Sequence, residues 1–125
     1  MPKLLLIDDD VGLCRILQDF LKKNNVDADF VHSAQDALDL FLTPGSLRYE
    51  LLVLNIMIPN QSGLELLDKI KSRLLNVPVI MLTGNFDIQD KLTALNLGAD
   101  DYICKPCDPR ELLARSSRGC SMLIV

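Results

Sequence analysis

The sequence predicts an α/β fold, in which a parallel β-sheet carries helices on both faces. Short apolar runs at residues 4–7, 51–54 and 77–82 alternate with longer segments of mixed polarity. This alternation is the pattern of repeated strand–helix units. The three runs are almost wholly apolar, which is typical of strands buried on both faces.

Composition predicts one globular domain spanning residues 1–125, because 49% of the residues are hydrophobic and the length suffices for a sizeable core. No apolar stretch approaches the roughly 20 residues that span a bilayer. The N-terminus lacks the features of a signal peptide, so we expect a cytoplasmic protein without membrane contact. A net charge of -4 and the absence of a basic stripe argue against direct nucleic-acid contact by this segment.

The first half of the chain contains two predicted strand–helix pairs. Strands are expected at 3–7 and about 27–31, and helices at about 11–24 and from a Ser33 cap to residue 42. The second strand is the more polar one and is therefore expected at a sheet edge. Residues predicted on one face of the first helix are Leu13, Ile16, Leu17, Phe20 and Leu21.

Three further pairs follow, with strands at 51–54, 77–82 and 101–104 and helices at about 64–74, 87–97 and from residue 109. Asp108 as cap, Pro109 in the first turn and Glu111 three residues after the cap mark the start of the last helix. Its continuation at 116–125 is atypical. We interpret these residues as a frayed or artificial tail, since termini are often poorly ordered; an extra strand or an interface segment is the alternative.

Polar residues follow four of the predicted strands. They are Asp8 and Asp9 after the first, Asn55 after the third, Thr83 after the fourth and Lys105 after the fifth. Singly, each has a simple structural explanation: acids favour a helix N-terminus, and threonine and lysine are common in turns and on surfaces. Together they indicate a site, because ligands bind at the carboxyl ends of strands in such sheets.

Four segments at these strand ends resemble the receiver domain of two-component response regulators: LLLIDDD at 4–10, VLNIMIP at 53–59, PVIMLTG at 78–84 and GADDYICKP at 98–106. The resemblance covers about residues 2–115, and residues 97–115 are most similar to the OmpR-type transcription-factor subfamily. It implies a flavodoxin-like (CheY-like) fold with five parallel strands in the order 2-1-3-4-5 and five helices.

The resemblance implies phosphoryl transfer from a sensor histidine kinase to an aspartate at position 55. Asp8 and Asp9 would bind Mg²⁺, together with residue 55 and the backbone carbonyl of Met57. These hard oxygen ligands suit Mg²⁺, and its charge stabilises a transferring phosphoryl group.

By the same resemblance, Thr83 would hydrogen-bond a phosphoryl oxygen and Lys105 would pair with the phosphate. Tyr102 would be an aromatic switch that follows Thr83, although half-buried packing alone also explains a tyrosine there. The peptide between Lys105 and Pro106 is usually cis in this family.

Asn55 departs from the family pattern at the phosphoacceptor position. An amide is not a carboxylate nucleophile, and the lost negative charge should weaken Mg²⁺ binding. The substitution is either natural or introduced, and the domain is then either phosphorylation-deficient or a constitutive protein-interaction module. In both cases we expect a regulatory switch rather than an enzyme with turnover.

The thiols offer an alternative function. Cys104 and Cys107 form a C-x-x-C pair, so a thiol–disulfide oxidoreductase is the competing hypothesis. Zinc binding is disfavoured because Cys14 and Cys120 do not form a second pair at zinc-finger spacing. His32 lacks a potential co-ligand at suitable spacing and is interpreted as a surface residue.

Two kinds of partner follow from the OmpR-type resemblance. One is an output domain, expected to bind DNA, beyond residue 125. The other is a second copy, paired through the face of the fourth helix, fifth strand and fifth helix. The predicted interface residues are Lys91, Leu95, Asp100, Asp101, Glu111, Ala114 and Arg115.

Overall fold

A computed structural model describes residues 3–42, 49–58, 61–73, 77–84, 88–105 and 107–124. Its strands are β1 (Lys3–Ile7), β2 (Asp27–Val31), β3 (Leu51–Asn55), β4 (Met57–Ile58), β5 (Gln61–Ser62), β6 (Val79–Thr83) and β7 (Asp101–Cys104). Its helices are α1 (Val11–Lys23), α2 (Ala34–Leu42), α3 (Gly63–Arg73), α4 (Ile88–Asn96) and α5 (Pro109–Ile124). Each predicted strand and helix is therefore present.

The main sheet has five parallel strands in the order β2-β1-β3-β6-β7. Counted along the chain, these strands stand in the order 2-1-3-4-5, so the predicted fold is confirmed. The polar strand β2 lies at one edge, as predicted. Strands β3 and β6 are buried along their whole length, which explains why both sequences are apolar.

Two apolar cores lie on opposite faces of the sheet. Helices α1 and α5 cover one face through residues such as Leu17 and Leu112. Helices α2, α3 and α4 cover the other through residues such as Ala37, Leu66 and Ala94. The sheet is thus closed on both sides, and its edge at the carboxyl ends of the strands remains available for polar residues.

Strand register brings the predicted site residues to that edge. Ile7 pairs with Leu54, and Asn55 pairs with Leu82. Thr83 ends β6 and pairs with Cys104, the residue before Lys105. Polar residues on neighbouring strands are therefore offset by at most one position along this edge.

The packed face of α1 differs from the prediction. Cys14, Leu17 and Leu21 are buried, whereas Ile16 is 61% exposed. The buried positions are spaced by three and four residues, so the face is a helical stripe rotated away from Ile16. The expectation that Ile16 packs inward is therefore wrong, because a small thiol rather than a branched aliphatic chain occupies the core position.

Side-chain oxygens cap the start of four helices, with Ser62 Oγ accepting from the Leu64 amide at 3.2 Å at the start of α3. Asp10 accepts a hydrogen bond from the Leu13 amide at 3.0 Å, and Ser33 accepts one from the Asp36 amide at 3.1 Å. Asp108 accepts one from the Arg110 amide at 2.9 Å. The caps predicted at Ser33 and Asp108 are confirmed, and each satisfies an amide that has no partner within its helix.

Helix α5 continues to Ile124, so the backbone of residues 117–124 is helical and the extra strand considered as an alternative is not formed. The role of this segment stays a prediction. The expected cis peptide at Pro106 lies outside the described residues. Among the helices that the structure describes, none combines the length and apolar character needed to cross a membrane.

Candidate functional site

The carboxylate of Asp8 is the centre of the site and is 5% exposed. Its Oδ1 accepts hydrogen bonds from the Asp10 amide at 3.0 Å and from Asn55 Nδ2 at 3.2 Å. Its Oδ2 lies 2.9 Å from Lys105 Nζ. The orientation of this last contact is not that of a hydrogen bond, so it is an ion pair held by distance and charge.

The structure brings the predicted residues together from four strand ends. Asn55 and Thr83 are 4% and 1% exposed. The Lys105 amide donates to the Thr83 carbonyl, which ties the chain after β7 to β6. Asp9 is at the same edge but exposed. Asp8 contacts both Asn55 and Lys105, and the backbone of Thr83 contacts that of Lys105.

Gly63 shapes the loop beside Asn55, a role that the sequence reasoning did not assign. Its amide donates to the Ile56 carbonyl at 2.7 Å. A Cβ at this position would lie 2.2 Å from the Asn55 carbonyl oxygen and 2.6 Å from Ile56 Cα. Only glycine allows this approach, and it brings strands β4 and β5 back over the end of β3.

The donor set fits Mg²⁺ in chemical type but is short of charge. Asp8 and Asp9 carboxylates, the Asn55 amide and the Met57 backbone carbonyl all offer hard oxygen atoms. Over the part of the chain that the structure describes, no three His, Cys, Asp or Glu side chains form a potential metal cluster. The amide at position 55 also turns its nitrogen, not its oxygen, towards Asp8.

Tyr102 is buried beside this site, with 8% of its surface exposed. The Lys91 ammonium lies 6.0 Å from the centroid of its ring. That distance is at the outer limit of a cation–π contact. Packing thus accounts for the tyrosine in this conformation, and its predicted role as a switch stays a prediction.

The thiols lack the environment of a redox pair. Burial, followed by the negative charges of Asp8 and Asp10, raises the pKa of Cys14 to about 12. Burial, followed by the charges of Glu111 and Asp108, raises the pKa of Cys107 to about 11. Reactive cysteines need the opposite shift, because the thiolate is the nucleophile. The raised pKa of Cys107, one of the two cysteines of the C-x-x-C pair, therefore weighs against the oxidoreductase hypothesis.

His32 is half-buried rather than a plain surface residue, which corrects the sequence interpretation. Its Nδ1 lies 3.1 Å from the Asp8 backbone oxygen, and its ring centroid lies 5.0 Å from that of Phe30. The signal available in the sequence was its position directly after β2, at the same sheet edge as Asp8.

The predicted interface residues lie on α4, β7 and α5, except Asp100 in the loop before β7, and several already have partners within the chain. Arg115 Nη1 lies 2.8 and 2.7 Å from the two carboxylate oxygens of Asp101. Its Nε lies 3.3 Å from Glu111. Leu95 and Ala114 are exposed.

Asp100 contacts another part of the molecule. Its carboxylate accepts from the Val79 amide at 2.8 Å and from Lys71 at 3.2 Å. Asp100 therefore contacts α3 and β6, whereas the adjacent Asp101 contacts Arg115 on α5.

Comparison with known proteins agrees with this architecture. The response regulator receiver domain family matches residues 4–117. Response regulator ArlR of Staphylococcus aureus is 40% identical over 115 residues, covering 92% of this chain and 51% of the relative. The chain therefore spans about half the length of the curated relatives it matches.

Solved structures show the same fold. A CheY-like receiver domain protein from Methanospirillum hungatei superposes with a TM-score of 0.90 at 26% identity, covering 98% of this chain and 95% of that one. DrrB, described as a Thermotoga maritima OmpR/PhoB homolog, gives 0.82 at 30% identity, covering 94% and 52%. With the sheet order, the strand-end residues and a family match over most of its length, the chain belongs to the response regulator receiver domain family.

Proposed function

We propose that this chain is the receiver module of an OmpR-type response regulator in which Asn55 occupies the phosphoacceptor position, so that the module does not accept phosphate. The observation that carries the proposal is the place of Asn55, at the buried carboxyl end of β3 and in contact with Asp8. The similarity to the OmpR/PhoB homolog from Thermotoga maritima supports the subfamily.

Each residue has a distinct role in this proposal. With an aspartate at position 55, that carboxylate would hold Mg²⁺ together with Asp8, Asp9 and the Met57 carbonyl, and the metal would supply positive charge to phosphoryl oxygens. Asn55 would weaken this site, because it removes one negative charge. Lys105 supplies a second positive charge, and its position next to the Asp8 carboxylate supports that role. The Asn55 amide has no anionic oxygen with which to attack phosphorus, so the transfer stops at this residue.

The expected partners follow from the same proposal. A sensor histidine kinase would dock on the receiver in the cytoplasm. A DNA-binding output domain would follow this segment, since the chain covers 51% of ArlR. A second copy would pair through α4, β7 and α5, with Leu95 and Ala114 at the apolar centre. The module would regulate its output domain and would not turn over a substrate.

Incubation with acetyl phosphate and Mg²⁺ tests the proposal, with intact-protein mass spectrometry as the measurement. The unchanged chain should show no added phosphoryl group, and Asn55→Asp should gain one. Asn96→Asp makes the same chemical change at an exposed position on α4 and should stay unlabelled. A phosphoryl adduct on the unchanged chain, or an unreactive Asn55→Asp protein, would refute the assignment of position 55.

A further inference from the structure

We infer that Lys105 and Asn55 together take the place of a divalent cation around Asp8, so that the pocket is complete without metal and the fold does not depend on Mg²⁺. The inference rests on the proposed function, because it assumes that residue 55 stands where a phosphoacceptor carboxylate would otherwise be. It adds a consequence for regulation: the module would respond neither to phosphate nor to the metal.

The first step concerns the charge of Asp8. A carboxylate that is only 5% exposed is costly unless it is paired and hydrogen-bonded. Here both oxygens face positively polarised groups of the chain. Oδ1 accepts hydrogen bonds from the Asp10 amide and Asn55 Nδ2, and Oδ2 forms an ion pair with the ammonium of Lys105 at 2.9 Å. The charge of this carboxylate is therefore balanced by Lys105 without an external cation.

The second step compares asparagine with aspartate at position 55. Asn55 Nδ2 donates to Asp8 Oδ1 at 3.2 Å, so the amide gives an attraction at a distance where a second carboxylate would give repulsion. Two carboxylates that share a site cannot both ionise without cost. One lysine balances one of them, and a divalent cation would be required for the other. With Asn55, the charges of Asp8 and Lys105 sum to zero.

The third step concerns what Lys105 holds. Its amide donates to the Thr83 carbonyl while its ammonium pairs with Asp8. The chain after β7 is therefore attached to both β6 and the end of β1. Among the described residues, Asp8 is the carboxylate that pairs with the ammonium, and the second carboxylate, Asp9, is exposed to solvent. The module would keep one arrangement of this edge whether Mg²⁺ is present or absent.

Urea unfolding with and without millimolar Mg²⁺ tests the inference. The unchanged chain and the Asn96→Asp control should each keep the same midpoint in both conditions. Asn55→Asp should have a lower midpoint without metal and recover most of the loss when Mg²⁺ is added. An equal rise in midpoint for the unchanged chain and Asn55→Asp would overturn the inference, because the metal would then belong to the native site of both.

A second measurement keeps the inference testable if Asn55→Asp does not fold without metal. Mg²⁺ is titrated into the unchanged chain while the amide NMR signals of residues 8–10 and 55 are followed. These signals should not move at millimolar Mg²⁺, whereas in Lys105→Met, which leaves Asp8 without its counter-ion, they should. Saturable shifts in the unchanged chain at millimolar Mg²⁺ would overturn the inference.

The two proposals can fail separately. Labelling of Asn55→Asp by acetyl phosphate, combined with Mg²⁺ binding to the unchanged chain, would support the proposed function and exclude this inference. If Asn55→Asp stays unlabelled and Mg²⁺ changes neither the urea midpoint nor the NMR signals of the unchanged chain, the proposed function is excluded and the metal-independent pocket is supported.

Discussion

At the scale of single residues, position 55 differs from an aspartate by one oxygen exchanged for an amino group. That exchange replaces an acceptor by a donor towards Asp8, at 3.2 Å. Under the proposed function, it also removes the anion that could form an acyl phosphate. Loss of the nucleophile and gain of an internal hydrogen bond would then have the same cause, and one substitution, Asn55→Asp, should reverse both.

Gly63 is the residue whose replacement should disturb the site most without changing its chemistry. In Gly63→Ala the new methyl group would sit 2.2 Å from the Asn55 carbonyl oxygen, so the loop has to move. Overpacking of this kind typically costs about 1–3 kcal/mol, and a clash with backbone places this variant at the upper end. Urea unfolding gives the measurement. Gly12→Ala is the control, because its Cβ would meet only a side-chain oxygen at 3.6 Å; equal stability of the two variants would contradict the prediction.

Alkylation by iodoacetamide reports the state of Cys107. Its pKa is raised from 9.0 to about 11, so the thiol stays protonated throughout the neutral range. The rate at Cys107, mapped by mass spectrometry, should rise roughly tenfold per pH unit from pH 7 to 10, because only the thiolate reacts. A rate that levels off near pH 9 would contradict the raised pKa.

The two thiols can also be removed together. Cys104→Ser with Cys107→Ser should leave the fold intact, and when combined with Asn55→Asp it should leave the labelling by acetyl phosphate intact. Circular dichroism and mass spectrometry check these two results. A disulfide reductase activity that the double substitution abolishes would instead favour the oxidoreductase.

At the scale of helices and strands, patterns of several residues were predictive and very short ones were not. The three apolar runs located β1, β3 and β6, and the polarity of β2 placed it at an edge of the sheet. Strands β4 and β5 were missed because two residues carry no periodicity. The burial of Cys14 instead of Ile16 on α1 depends on which residue meets the sheet, and tertiary packing decides that.

Ser116 is a buried polar residue on the packed face of α5. Its side chain is buried, and its Oγ has no hydrogen-bond partner among the side chains and backbone that the structure describes. A buried hydroxyl without a partner costs about 1–3 kcal/mol, and alanine also favours a helix. Ser116→Ala should therefore raise the free energy of unfolding by about 1 kcal/mol in urea titrations. Ser72→Ala on α3 is the control, since Ser72 is exposed and donates to the Asp68 carbonyl. A Ser116→Ala protein less stable than the unchanged chain would contradict this reading.

At the scale of the whole molecule, the site exists because parallel strands end at one edge. Asp8 and Lys105 are separated by most of the chain yet lie 2.9 Å apart. Their position at this edge could be predicted from the ends of the apolar runs. The pairing of Asp8 with both Lys105 and Asn55 could not, because strand ends fix which residues are near one another and side-chain rotamers fix which atoms touch.

Measuring self-association tests the interface that the resemblance predicts on α4, β7 and α5. Arg115 forms an ion pair with Asp101 of the same chain, and both side chains are partly exposed. Replacing this pair by an ion pair with a second copy should therefore change the free energy of association little. The exposed Leu95 would supply the apolar centre of the proposed interface. We expect weak dimerisation, and Arg115→Glu should raise the dissociation constant measured by sedimentation equilibrium, because like charges would face each other. Arg15→Glu is the control, because it makes the same charge change at an exposed position on α1. A dimer with the same dissociation constant in Arg115→Glu and in the unchanged chain would show that α4, β7 and α5 are not the interface.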